Sequence, residues 1–93
     1  MQRQPSYAAR LGAVLRRRDV VALRAFLIES AQRFGDDTQV SDVQAKSDEE
    51  MEELLHRMIV ARPDLNDLHR ASRQWLFEHG IDTFGDREGG RRN

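Results

Sequence analysis

Apolar positions recur along most of this chain at helical spacing, and four stretches carry the pattern. Tyr7, Leu11, Val14 and Leu15 fall on one face of a predicted helix over 7–17. Ser6 stands where an N-cap belongs, and Arg16, Arg17 and Arg18 close the segment where cations suit the negative end of a helix. Asp19 opens a second predicted helix over 20–34, and Gly35 follows it as a natural C′ residue. Its main stripe is Val20, Leu23, Phe26, Leu27, Ala31 and Phe34. Val21, Ala25 and Ile28 make a second, smaller strip roughly 130–150° away.

Ser47-Asp48-Glu49-Glu50 has the form of a capping box and starts a third predicted helix over 48–61, ended by Pro63. Its stripe is Met51, Leu54, Leu55, Met58 and Ile59. Asp64 is the expected cap of a fourth helix over 65–79, with Gly80 after it. Leu65, Leu68, Ala71, Ser72, Trp75 and Leu76 line one side, and Phe77 lies on the opposite, polar side. Residues 36–46 read as a polar connection, in which Val40 and Val43 permit a short helical turn. No stretch alternates with period two, which excludes a strand-rich fold.

The expected architecture is therefore all-α: a small up-down bundle of about four helices, built as two hairpins. A flexible N-terminus (1–5) precedes the bundle (6–80), and a disordered tail (81–93) follows it. The expected core is Leu11, Val14, Leu15, Leu23, Phe26, Leu27, Phe34, Met51, Leu54, Leu55, Met58, Leu68, Trp75 and Leu76.

Composition sharpens this picture. At 93 residues with 39% hydrophobic content, the chain can build one small core with a thin margin. No apolar run suggests a membrane span or a secretory signal, so a cytoplasmic protein is expected. Cysteine is absent, which removes disulfides, thiolate nucleophiles and Cys-based zinc sites.

The net charge of −1 conceals three blocks. Residues 1–34 hold seven arginines against two acids, 35–55 hold one lysine against eight acids, and 56–93 hold seven arginines against six acids.

Each candidate chemistry has a plain structural counterpart. Glu52 and Glu53 precede His56 at spacings that can bind metal when further carboxylates converge, but His56 falls on the polar face of its helix. His69 flanks its helix's stripe, and His79 lies in it near the end. The acids of Asp48–Glu53 sit in first turns, where the helix dipole already favours them. Arg16, Arg17 and Arg18, with Arg10 and Arg24 nearby, could contact phosphates, and Asn66, Arg70, Arg73 and Gln74 form the better base-reading set on the last helix. Asp67 and Glu78 on that same face oppose phosphate binding. Neither a Gly-x-Ser-x-Gly elbow nor a glycine-rich phosphate loop occurs.

The outlying apolar residues carry more weight. Val21, Ala25, Ile28 and Phe77 predict a partner interface, and the sequence reads best as a small protein-interaction module, an adaptor or regulator that forms a homodimer. It is not expected to be an enzyme, to use a cofactor or to enter a membrane. Two other readings follow: a nucleic-acid-associated regulator using Arg16, Arg17 and Arg18, and a metal-binding helical bundle.

Overall fold

A computed structural model describes residues 6–81. The expected N-terminal flexibility (1–5) and the expected tail from 82 onward lie outside the described residues. Among the described residues the chain is all-helical, with five α-helices rather than four: α1 (Tyr7–Arg17), α2 (Val20–Arg33), α3 (Asp37–Ala45), α4 (Asp48–Val60) and α5 (Asn66–Glu78). A 3-10 turn, Pro63–Leu65, leads into α5.

The additional helix is α3, in the stretch read as a polar connection. Asp36 caps it by accepting a hydrogen bond from the Gln39 backbone N–H at 3.0 Å. At the other end, Arg24 on α2 donates to the carbonyl of Val43 at 2.7 Å and lies 3.3 Å from Asp48 Oδ1. A nine-residue helix is marginal alone, so these end contacts and the burial of Val43 decide its formation.

The remaining ends follow local chemistry. Ser6 Oγ accepts from the Ala9 N–H, and Asp19 Oδ1 accepts from Val21 and Ala22. Ser47 and Glu50 form the reciprocal capping box: the Ser47 N–H donates to Glu50 Oε1 at 2.8 Å and the Glu50 N–H donates to Ser47 Oγ at 3.1 Å.

α2 and α5 both end in Schellman motifs. Gly35 (φ 72°) donates to Gln32 and Asp36 to Ala31, while Gly80 (φ 73°) donates to Phe77 and Ile81 to Leu76. α1 instead ends on Arg18 at φ 51°, a left-handed conformation that costs a residue with a Cβ.

Asp64 does not cap α5. It receives two hydrogen bonds from Arg62, at 2.9 and 2.7 Å, so the helix starts from the 3-10 turn without a side-chain cap. That pairing raises the Arg62 pKa above its ordinary value. Arg62 itself is extended (φ −113°, ψ 93°), as the following proline requires.

The chain divides into two compact units, one ending at Leu55 and one beginning at His56, so the boundary falls inside α4. In the first, Leu15, Leu23, Phe26, Leu27, Ala31, Val43, Met51 and Leu55 are buried. Each such Leu or Phe contributes about 1.5–3 kcal/mol. α2 packs most extensively against α3 and next against α1, where Gly12 is buried. Tyr7 lies on Phe26 with ring centroids 5.1 Å apart, and Arg10 reaches over the same Phe26 ring to Glu29 at 3.2 Å.

The second unit buries His56, Ile59, Leu65, Ser72 and Leu76. Two expectations fail here and in the first unit. Phe34, placed in the core by its spacing, is 78% exposed, because it stands past the last helical residue, in the turn that reverses the chain. His56, placed on the polar face, is only 4% exposed. Leu11, Val14, Leu54, Met58, Leu68 and Trp75 are half-buried.

Candidate functional site

Three surfaces and one cluster of rings hold the candidate residues. The first surface is the outer face of α2. Leu23, Phe26, Leu27 and Ala31 saturate the inner face of this helix. Val21 is 78% exposed, Ala25 is exposed and Ile28 is half-buried. The second strip read from the sequence therefore faces solvent at its N-terminal end and passes into the packed region at Ile28.

The second surface is the end of α1, where Arg16, Arg17 and Arg18 are all exposed. Arg10 and Arg24 do not join them. Arg10 pairs with Glu29, and Arg24 grips the end of α3 and Asp48.

The third surface is an open groove along α5 of about 680 Å³. His69, Arg70, Arg73, Gln74, Phe77 and Ile81 line it. The spacing explains the grouping: 70, 73, 74 and 77 recur at three and four residues, so they share one side of the helix, and Ile81 joins them beyond the turn at Gly80. Phe77 is 76% exposed, and Arg70 makes no hydrogen bond or ion pair among the described residues. His69 is oriented by the Val60 carbonyl, 3.1 Å from Nε2; a carbonyl only accepts, so Nε2 carries the hydrogen. Gln74 donates to Glu78 at 2.9 Å on the rim.

Sequence reading found these residues separately, the polar ones as a base-reading set and Phe77 as an interface residue. It missed that they form one concave surface, and it missed His69 as part of it.

The ring cluster lies on the other side of α5. The His56 imidazole stacks on Trp75 with centroids 4.5 Å apart and 10° between planes, and His79 stacks on the same Trp75 at 3.6 Å and 14°. His79 Nδ1 donates to the Trp75 carbonyl at 2.8 Å. Ser72 Oγ is buried and makes no hydrogen bond among the described residues.

Of the Glu52, Glu53 and His56 set, His56 is buried, Glu53 is half-buried and Glu52 is exposed. Among the described residues no group of three or more histidines and carboxylates is close enough to hold a metal ion. Among the same residues no helix is long and apolar enough to cross a membrane. Compared with known proteins, the chain matches no family model, no curated protein and no solved structure.

Proposed function

We propose that the helices close into a small up-down bundle that works as a cytoplasmic protein-interaction module, an adaptor or regulator that self-associates. The observation that carries this reading is the outer face of α2. On the helix richest in apolar residues, Val21 and Ala25 stand in solvent while the opposite face is fully packed. An aligned exposed strip on a short chain suits an isologous contact with a second copy. Phe77 supplies a second exposed anchor, and large aromatic rings dominate such contacts.

The test is molar mass by light scattering on a sizing column over a range of concentrations. The wild-type chain is expected to run as a dimer, and Val21→Glu with Ala25→Glu as a monomer with unchanged helical circular dichroism. A dimer that survives both charges would refute the role of this strip.

A second reading rests on the adjacent exposed Arg16, Arg17 and Arg18, which suit phosphate contacts. It predicts oligonucleotide binding that falls steeply as salt rises.

A further inference from the structure

The acidic start of α4 contains two kinds of carboxylate. Asp48 pairs with Arg24, and Glu50 closes the capping box with Ser47. Glu49 and Glu52 do neither: both are exposed, and neither makes a hydrogen bond or ion pair among the described residues. They are three residues apart, hence neighbours on one helix face about one turn apart.

Arg70 and Arg73 on α5 repeat the same spacing with opposite sign, both exposed on the groove wall. The exposed ring of Phe77 follows one turn later. Guanidinium groups pair with carboxylates through two parallel hydrogen bonds, which fixes register as well as attraction. A continuous nucleic-acid backbone suits the groove less well, because Glu78 lies on its rim, bound to Gln74.

We infer that the α5 groove is an interaction surface for a second copy of this chain, taking Glu49 and Glu52 of that copy against Arg70 and Arg73, with the helix start covering Phe77. The inference rests on the self-association proposed above. In a twofold dimer each copy supplies one groove and one acidic helix start, so the contact forms twice.

The experiment uses the full chain and two variants: Arg70→Glu with Arg73→Glu, and Glu49→Arg with Glu52→Arg. Each alone should weaken the dimer about tenfold or more, since like charges then face each other across the contact. Mixed in equal amounts, they should form a heterodimer, because each variant's groove now matches the other's helix start. Carrying all four changes in one chain should restore self-association. The wild-type dimer should also weaken about tenfold between about 0.05 and 0.5 M salt. Circular dichroism checks folding, and heterodimer formation by itself shows that both variants are folded.

The inference is overturned if the dimer is indifferent to both reversals, or if the mixture stays monomeric. It is also overturned if Arg70→Glu with Arg73→Glu abolishes binding of a DNA oligonucleotide and leaves the dimer intact. A dimer lost on Val21→Glu with Ala25→Glu but not on charge reversal refutes the groove alone. A wild-type monomer at every concentration and salt refutes both proposals.

Discussion

Arg18 holds a left-handed backbone conformation, and its exposed side chain makes no hydrogen bond or ion pair among the described residues. Gly35 and Gly80 hold similar dihedrals at the ends of α2 and α5, where glycine adopts them without strain. Arg18→Gly should therefore stabilise the fold by about 0.5–1 kcal/mol and raise the melting temperature by about 3–6 °C. Thermal unfolding followed by circular dichroism checks the sign. A fall would mean that the Arg18 side chain contributes more than its backbone costs.

His56 is the residue that pattern reading misplaced most. The buried face of α4 runs through Met51, Leu55, Ile59 and His56, rotated by roughly 60° from the stripe that Leu54 and Met58 suggest. Hydropathy ranks an imidazole as polar and cannot register that a flat indole awaits it. Trp75 on α5 and His79 at its C-cap, four residues apart, were the available cue, because rings at that spacing offer a stacking face. His56→Ala should cost about 2 kcal/mol in urea unfolding, and His56→Phe, which keeps a ring against Trp75, should cost less. Equal losses would show that stacking is not the source of the stability.

At the scale of elements, helix boundaries set by side-chain caps and glycines were readable, and those set by tertiary contacts were not. The expected 7–17 span of α1 and the capping box of α4 match the structure because the determinants are within four residues of the ends they fix. α3 was only half visible. Asp36 and Gln39 have the cap spacing and Val43 the buried position, but the Arg24 contact comes from another helix, 19 residues away.

Arg24→Ala should remove the charge-assisted hydrogen bond to Val43 and the pairing with Asp48 together. The expected cost is about 1–2 kcal/mol, given that the guanidinium is a quarter exposed. Amide exchange should report the loss first in Asp37–Ala45. Uniform exchange across α1 to α3 would mean that α3 does not depend on Arg24. The Arg62–Asp64 pair behaves differently with pH. Arg62 has a raised pKa, so its contribution is complete below the ordinary arginine range and is lost only as pH rises beyond the raised value, far above neutrality.

At the scale of the whole molecule, the uneven distribution of charge gains a physical reading. Five of the eight acids in residues 35–55 are in helix starts: Asp36 caps α3, Asp37 is in its first turn, and Asp48 to Glu50 occupy the first turn of α4. Several arginines are similarly absorbed by Glu29, Asp48 and Asp64. The candidate site was readable as a list of residues and not as a surface. Periodicity put Phe77 on the polar face, but only the folded helix shows that Arg70, Arg73 and His69 border it. The two self-association tests belong to this scale, because mass and salt response report the assembled chain and not any single contact.

The grip of Arg24 on α3 also has a consequence for synthesis. A chain leaves the ribosome N-terminus first, so Arg24 emerges 19 residues before the carbonyl it will hold. The receptor for α3 is thus available before α3 itself, and the helix can be fixed as soon as Val43 clears the exit tunnel. Asp48 emerges five residues later and can then close the other side of the guanidinium. The least self-sufficient helix of the molecule is accordingly the one whose scaffold is translated in advance.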